Sequence, residues 1–225
     1  MKLVKIDRDA EIRQIAGDIE AIRDLGFEHV AYAGLNPLAQ TIHGHVTYGP
    51  EWSRFYAENQ LHAQDPILLR AARSVAPVDW HRLGHSDVFE RARDFGLPPN
   101  GLTVPVRGPF GDVGLLSVSG WERGWDKLIQ DRIGALQTLA VTIHDQVISG
   151  HPATRSLMRP SLSTREREIL QWAAAGRTQA DISTILAISA RTVEVHFASA
   201  RAKLGAMSTS QAVGRAIAMG LIFAE

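Results

Sequence analysis

Five aromatic and acidic residues between positions 48 and 80 have the chemistry of a small-molecule site. Trp52 and Tyr56 are four residues apart, so they share one face of a helix. Tyr48 and Trp80 supply further aromatic walls with polar tips, and Asp65 is an acidic group set among them. An apolar pocket with a few convergent polar groups is the usual form of a ligand site. The alternative interpretation is that these rings are core or interface anchors.

Other kinds of reactive site find little support in the sequence. The chain has no cysteine, so there is no disulfide framework, thiol nucleophile or thiolate metal site. His43 and His45 share one strand face and could ligate a metal, but no carboxylate or third histidine has ligand spacing, so a solvated face is the default. No nucleophile with a base and an orienting group is evident. We expect no catalytic residue, no metal and no cofactor.

The stretch from 162 to 205 predicts three short helices with strong start and stop signals. Ser163 and Glu166 form a capping box at the start of the first helix. Ser189 can cap a third helix at 190–204. Two helices joined by a short turn form a helix-turn-helix unit, whose second helix enters the DNA major groove.

The faces of that third helix favour the same function. A core stripe is predicted at Val193, Phe197, Ala200 and Leu204. The opposite face carries Arg191, Val195, Ala198, Ser199 and Ala202, with Thr192 and Glu194 at its edges. An arginine can bind guanine and a small apolar group can touch a thymine methyl. The alternative is a solvated face on a small helical bundle.

This stretch resembles the helix-turn-helix of LuxR-type regulators. The shared positions include Leu162, Thr164, Arg165, Glu166, Leu170, Gly176, Ile182, Ser189, Arg191, Val193, Lys203, Leu204 and Gly205. The resemblance implies DNA contacts from Arg177, Thr178, Ser189, Arg191, Thr192, Glu194, Val195, Ser199 and Lys203. Glu194 departs from the family, in which lysine is common there, and it makes the DNA face less basic.

The first 149 residues mix helices and strands without a regular βαβ rhythm. We predict helices at 7–24, 51–59, 67–73, 86–95 and 126–148, and extended segments at 27–35, 41–48, 78–80, 101–106 and 112–119. This order predicts an α+β domain, with a largely antiparallel sheet flanked by helices. Residues 150–161 hold two prolines and a glycine without periodicity, which is typical of a linker. We therefore predict a ligand-binding domain at 1–149 and an all-α domain at 162–225.

Residues 27–120 resemble the autoinducer-binding domain of LuxR-type quorum-sensing regulators. The landmarks that carry the resemblance are Trp52, Tyr56, Asp65, Pro66, Trp80 and Gly101. The family binds N-acyl-homoserine lactones, which present a lactone carbonyl, an amide N–H and an acyl carbonyl. The resemblance therefore implies a small-molecule autoinducer as the ligand of this domain.

The residue types suit that ligand. An indole can only donate, which fits Trp52 to the lactone carbonyl, and a carboxylate accepts, which fits Asp65 to the amide N–H. Hydroxyls of Tyr48 and Ser117 can donate to the acyl carbonyl. The remaining candidates are Tyr56 and Trp80 around the lactone ring, Ile67, where some members carry a threonine, and Thr103 along the acyl chain.

The charge balance indicates that DNA binding requires a dimer. Residues 161–225 hold 7 Lys and Arg against 5 Asp and Glu, which is weakly basic for a DNA-binding domain. The family dimer uses the long helix, here 126–148. Its apolar stripe is Ile129, Ile133, Leu136, Ala140, Ile143 and Val147. The alternative is that this stripe only packs on its own sheet.

We therefore expect a transcriptional regulator that binds an N-acyl-homoserine lactone and, as a homodimer, palindromic promoter DNA, with RNA polymerase as a further partner. No run of eighteen apolar residues and no signal peptide is evident, so we expect a cytoplasmic protein without a membrane partner. Two alternatives remain: an anti-activator that binds lactone and acts by heterodimerisation, and a lactone-modifying enzyme.

Overall fold

The computed structural model describes residues 2–3, 10–36, 41–108, 111–121, 123–150 and 161–223. Two compact units divide the chain, residues 1–108 with 112–150 and residues 109–111 with 151–225. The linker predicted at 150–161 falls almost wholly outside the described residues, so that boundary stays a prediction. None of the described helices has the length and apolar character needed to cross a membrane.

A six-stranded sheet forms the centre of the first unit. Its strands are β1 (Lys2–Leu3), β2 (His29–Asn36), β3 (Thr41–Val46), β4 (Val78–Asp79), β5 (Asn100–Arg107) and β6 (Val113–Gly120). Their spatial order is β1-β3-β2-β6-β5-β4, and every pair is antiparallel except β1 with β3. The predicted α+β class with a largely antiparallel sheet is confirmed.

Among the residues that the structure describes, five α-helices flank this sheet. They are α1 (Ala10–Asp24), α2 (Pro50–Glu58), α3 (Pro66–Ala71), α4 (Asp87–Asp94) and α5 (Trp125–Gly150). One sequence prediction here is wrong: Trp80, predicted as extended, begins a 3-10 turn that ends at Leu83. The turn starts because the Asp79 side chain accepts a hydrogen bond from the His81 N–H at 3.0 Å, which caps it.

Helices α1 and α5 share one apolar core with the sheet. Ile22 of α1, Ile143 of α5 and Val118 of β6 are each at most 1 % exposed, and burying such a side chain contributes about 1.5–3 kcal/mol. The stripe predicted on the long helix fills this core, with Leu136, Ala140 and Ile143 fully buried. That stripe therefore packs on its own sheet, whereas Ile129, Ile133 and Val147 are only partly buried, and the part of α5 in a dimer stays a prediction.

The opposite face of the sheet is more polar. Because side chains alternate along a strand, Leu115, Ser117 and Ser119 of β6 point away from the face that holds Val118. Leu115 packs here with Ala71 of α3. Both serines are buried. The sheet thus has one face for the apolar core and one that combines small apolar groups with hydroxyls.

A polar cluster is buried beneath α5. The Tyr32 hydroxyl lies 2.7 Å from His144 Nδ1, and both residues are only 3 % exposed. The imidazole of His144 lies against Gly114, where an added Cβ would be 2.5 Å from the ring. His144 Nε2 and Asp112 Oδ2 have no hydrogen-bond partner in the described part of the chain. Burial lowers the pKa of His144 to about 4, and burial raises the pKa of Asp112 to about 6.

Four α-helices lie in the described part of the second unit. They are α6 (Thr164–Ala174), α7 (Gln179–Ile185), α8 (Ala190–Leu204) and α9 (Thr209–Ala218). Helix α8 contacts the other three. Its predicted core stripe is confirmed, because Val193, Phe197, Ala200 and Leu204 are at most 5 % exposed.

Local capping signals place the starts of these helices. The capping box of Ser163 and Glu166 is formed in both directions at α6, and the box of Thr178 and Asp181 is formed in both directions at α7. Ser189 caps α8, as its sequence position predicts. Helices α7 and α8, joined by a short turn, therefore form the predicted helix-turn-helix unit.

Candidate ligand site and nucleic-acid interface

Helix α2 carries the centre of the aromatic cluster. The ring centroids of Trp52 and Tyr56 are 5.6 Å apart, and Trp52 is 7 % exposed. The ring centroids of Phe55 and Phe95 lie 6.1 and 5.5 Å from that of Trp52. Neither phenylalanine is among the site residues predicted from the sequence. Phe95 carries no signal in the chain, because it directly follows α4 and only the fold brings it to α2. The Trp52 indole N–H makes no hydrogen bond to any described residue, so it can donate to a ligand.

Asp65 is buried beside this cluster and accepts hydrogen bonds from within the chain. It caps α3, since Oδ1 accepts from the Ile67 N–H at 2.8 Å. Its Oδ2 accepts from the Tyr56 hydroxyl at 2.7 Å. A carboxylate has about four acceptor positions, so Asp65 can still accept a hydrogen bond from a ligand. Tyr56, predicted to pack around a lactone ring, is thus also held by its hydroxyl.

The pKa values in this cluster reflect burial. Burial raises the pKa of Asp65, although hydrogen bonds from Tyr56 and from the N–H groups of Ile67 and Leu68 oppose that change. The pKa of Tyr56 is raised by burial and by the Asp65 charge, and burial raises the pKa of Tyr48 to about 12. Both phenols therefore stay protonated at neutral pH and can donate hydrogen bonds.

Trp80 does not offer a free donor. Its Nε1–H donates to Thr103 Oγ1 at 2.9 Å, and Thr103 Oγ1 lies 2.8 Å from Ser117 Oγ. The ring stacks with Phe89 at 6.2 Å and lies directly on Gly101, where a Cβ would be 2.1 Å from a ring carbon. The sequence predicts Trp80, Thr103 and Ser117 as separate contacts, but the structure links them in one chain of hydrogen bonds.

Ser119 is a buried polar residue that the sequence analysis missed. It is 1 % exposed on the same strand face as Ser117. Its hydroxyl lies near enough to Tyr48 to lower that pKa slightly, but it makes no hydrogen bond of normal geometry in the described part of the chain. The sequence does carry a signal for Ser119, because side chains two residues apart on a strand point to the same face, and Ser119 is two residues after Ser117.

The region predicted to hold the acyl chain combines polar and apolar groups. Ile67 is half-buried, and its N–H is used by Asp65. A small apolar cluster of Ala71, Val78 and Leu115 lies on the same side of the sheet. These side chains offer an apolar surface next to the hydroxyl-bearing strand, which suits an aliphatic chain.

No buried metal site is found among the described residues. His45 is half-buried and its pKa is lowered by burial, whereas the side chain of His43 lies outside the described set. One group of three possible ligand residues, His85, Asp87 and Glu90, lies at the start of α4, and all three are exposed. His85 and Glu90 already form an ion pair at 3.5 Å.

Helix α8 presents most of the predicted DNA face to solvent. The exposed residues are Arg191, Thr192, Glu194, Val195, Ala198 and Ala202. Arg177, Thr178 and Ser189, at the starts of the two helices, are exposed as well. The face is therefore a surface of small side chains with an arginine near its N-terminal end, as the sequence predicts.

Ser199, predicted on the outer face, is half-buried, and Lys203 is exposed but bound to the same partner as Ser199. The Ser199 hydroxyl donates to Glu166 Oε1 and Lys203 Nζ to Glu166 Oε2, both at 2.7 Å. Ser199 is half-buried because α6 packs against the side of α8 that carries it. The carboxylate of Glu166 on α6 is buried and therefore needs hydrogen-bond donors. Burial alone would raise the pKa of Glu166, but hydrogen bonds from Lys203, Ser199 and Ser163 lower it to about 2.

The charges of the DNA face are partly paired. An Arg201 guanidinium nitrogen lies 2.8 Å from Glu194 Oε1. Glu194, which stands where the family commonly has lysine, is therefore paired with an arginine of its own helix. Among the described residues of this unit, Arg167, Arg177 and Arg191 are exposed and form no ion pair. Few exposed cations are thus left for phosphates, and Arg191 lies on the outer face of α8.

An α+β unit with a buried carboxylate among aromatic rings, in one chain with a helix-turn-helix unit, defines a ligand-binding transcriptional regulator. Two family models match it: the autoinducer binding domain over residues 15–147 and the bacterial regulatory proteins of the luxR family over residues 160–216.

Known regulators are similar over most of the chain. The transcriptional activator RaiR of Rhizobium etli is 34 % identical over 175 residues, which covers 74 % of this chain and 72 % of RaiR. The quorum-sensing regulator RhlR of Pseudomonas aeruginosa is 31 % identical over 210 residues, which covers 89 % and 86 %. The crystal structure of SdiA from Escherichia coli superimposes with a TM-score of 0.72 at 25 % identity, covering 95 % of this chain and 92 % of SdiA. The chain therefore belongs to the LuxR family and is an autoinducer-binding transcriptional regulator.

Proposed function

We propose that the autoinducer is an N-acyl-homoserine lactone and that the protein acts as a homodimer on palindromic promoter DNA in the cytoplasm, where it controls quorum-sensing genes and works with RNA polymerase. The observation that carries the ligand proposal is the pairing of a buried acceptor with a free donor. Asp65 keeps acceptor capacity, and the Trp52 indole N–H has no partner among the described residues.

The lactone head group matches these groups in number and type. The Trp52 N–H donates to the lactone carbonyl, and Asp65 accepts from the amide N–H. The hydroxyls of Tyr48 and Ser117 donate to the acyl carbonyl. The aliphatic tail then lies along the apolar cluster of Ala71, Val78 and Leu115.

The DNA proposal rests on the exposed face of α8. Arg191 reads base edges, and Arg177, Thr178 and Ser189 contact phosphates at the helix starts, where backbone N–H groups favour anions. Ser199 and Lys203 hold Glu166, so their part in DNA binding is to fix α8 against α6. Because one copy offers few unpaired cations, two copies are needed to gather enough phosphate contacts. A dimer also places two α8 helices on two half-sites of a palindrome.

Asp65→Asn tests the ligand proposal. Asparagine caps a helix about as well as aspartate, so α3 keeps its start. The lost charge-assisted hydrogen bond is worth about 1.5–3 kcal/mol, which weakens lactone binding roughly 10- to 100-fold. The matched control is Asp79→Asn, which changes a capping aspartate paired with Arg82. Equal lactone affinity in both variants, measured by calorimetry, would contradict the assignment of Asp65.

The two alternative functions have less support. An anti-activator that works by heterodimerisation would need a defective DNA face, and Glu194 is the one residue that suggests it. Its pairing with Arg201 removes that free negative charge. A lactone-modifying enzyme would need a nucleophile, a base and an orienting group together, and the similar proteins RaiR and RhlR are regulators. Binding of purified homodimer to operator DNA, with no lactone turnover over hours, separates the three.

A further inference from the structure

The chain of hydrogen bonds from Trp80 through Thr103 to Ser117 has a fixed direction. An indole N–H can only donate, so Thr103 Oγ1 accepts from Trp80 at 2.9 Å. Thr103 is fully buried, and its own hydroxyl hydrogen needs an acceptor. Among the described residues the acceptor within reach is Ser117 Oγ at 2.8 Å.

The reverse direction leaves a buried donor unsatisfied. If Ser117 donated to Thr103, the threonine oxygen would accept twice, from Ser117 and from Trp80, and its hydrogen would have no partner among the described residues. In the forward direction the hydrogen without a partner in the described part of the chain is that of Ser117, which is 7 % exposed whereas Thr103 is 0 % exposed, so leaving it for a ligand costs less. Thr103 therefore donates to Ser117, and the Ser117 hydrogen is left to point elsewhere.

The hydroxyl hydrogen of Ser117 is available on the polar face of β6. Ser117 lies on the polar face of β6 and makes no other hydrogen bond within the described ranges. It cannot turn its hydrogen to Thr103 without breaking the chain. Ser117 is thus prepared as a donor before any ligand binds, which removes part of the ordering cost of binding.

We infer that Trp80 and Thr103 orient the Ser117 hydroxyl as an obligatory donor, so that the site selects ligands with a carbonyl acceptor at this point. This inference rests on the proposed function, because it specifies one contact of the lactone-type ligand. Thr103 is a positioning residue here and not, as the sequence suggested, a contact for the acyl chain. Trp80 sets the direction because its indole N–H cannot accept.

A cycle of variants tests this coupling on the full-length protein. Thr103→Val keeps the shape and removes the hydroxyl, and Ser117→Ala removes the donor. We expect each change to weaken binding of an N-acyl-homoserine lactone roughly three- to tenfold, and the double variant to bind no more weakly than Ser117→Ala alone. Thr103→Ser keeps the hydroxyl and binds like wild type. Losses that multiply in the double variant, or a Thr103→Ser variant as weak as Ser117→Ala, would overturn the inference.

A second measurement separates this inference from the ligand class. The Trp80 indole N–H gives a proton–nitrogen signal, which a Trp80→Phe variant assigns without any ligand. In Thr103→Val this signal moves upfield because its acceptor is gone. If no lactone binds to wild type but the signal moves, the ligand class fails and the chain of hydrogen bonds stands. If lactone binds and the signal stays in place, the chain fails and the proposed function stands.

Discussion

Gly101→Ala changes the one glycine on which the Trp80 indole rests. A Cβ there would lie 2.1 Å from Cε3, 2.2 Å from Cδ2 and 2.5 Å from Cζ3 of Trp80. Those atoms belong to a rigid ring that Phe89 stacks against and that Thr103 holds through Nε1. The ring cannot turn aside without leaving both partners, so the alanine must displace Trp80 or the strand β5.

The expected cost follows from these contacts. Overpacking a core position costs about 1–3 kcal/mol, and loss of the bond between Trp80 and Thr103 adds about 1 kcal/mol. We therefore expect the free energy of unfolding of the ligand-binding unit to fall by roughly 2–4 kcal/mol. For a unit of this size that lowers the melting temperature by roughly 5–15 °C. Lactone binding weakens as well, since the orientation of Ser117 depends on the same chain.

Chemical denaturation followed by tryptophan fluorescence measures this change. The matched control is Gly17→Ala in α1, where a Cβ meets nothing within 4 Å and the helix gains from alanine. The control should be as stable as wild type or more stable by up to about 1 kcal/mol. If Gly101→Ala unfolds at the same denaturant concentration as Gly17→Ala, the packing of Trp80 on this glycine is wrong.

Three further predictions concern other parts of the chain. Glu166→Gln should destabilise the helix-turn-helix unit by about 1–3 kcal/mol at pH 7, because Lys203 loses its partner. In wild type the Glu166 carboxylate contributes this stability above its unfolded pKa of 4.5, and the contribution is lost as pH falls toward the folded pKa of about 2. His144 has a lowered pKa, so it makes the free energy of unfolding fall as pH drops from 6.5 to about 4. Asp112 has a raised pKa and acts in the opposite sense, because it makes the free energy of unfolding fall as pH rises from 3.8 to about 6. Asp112→Asn removes this opposing effect, so the variant should lose stability more steeply than wild type as pH drops. Arg191→Ala should weaken specific DNA binding by about 1–3 kcal/mol and leave lactone binding unchanged.

Each of these has its own check. For Glu166, the control is Glu168→Gln, whose carboxylate pairs with Arg165 at the surface and is worth little. For Asp112, unfolding free energies between pH 4 and 7 that run parallel in wild type and variant would contradict the opposed pKa changes. For Arg191, anisotropy with operator and scrambled DNA is the measurement, and wild-type affinity for the operator would refute the assignment.

The sequence predicts what is encoded locally. The capping boxes of Ser163 and Thr178 and the core stripe of α8 lie within a few residues, so their spacing alone places them. The stripe of α5 is ambiguous, because the same period fits an internal core and a dimer seam; the fold places Leu136 and Ile143 in the core, and the dimer seam stays a prediction.

Long-range hydrogen bonds explain what the sequence left out. Ser199 and Lys203 bind Glu166 from 33 and 37 residues away, so a helix wheel placed Ser199 on the outer face although α6 covers it. The bond of Trp80 to Thr103 spans 23 residues and needs the register of β5. His144 and Asp112 belong to no sequence motif, and only the fold buries them together between α5 and the sheet.

Thermal unfolding of the purified protein against a panel of N-acyl-homoserine lactones of varied chain length tests directly whether the protein binds a lactone. A lactone at 100 times its dissociation constant should add about 2.7 kcal/mol to the stability of the unit that binds it. We predict a clear rise for at least one lactone in wild type, and a much smaller rise in Asp65→Asn at the same concentration. A folded wild-type protein whose melting temperature no lactone changes would contradict the account.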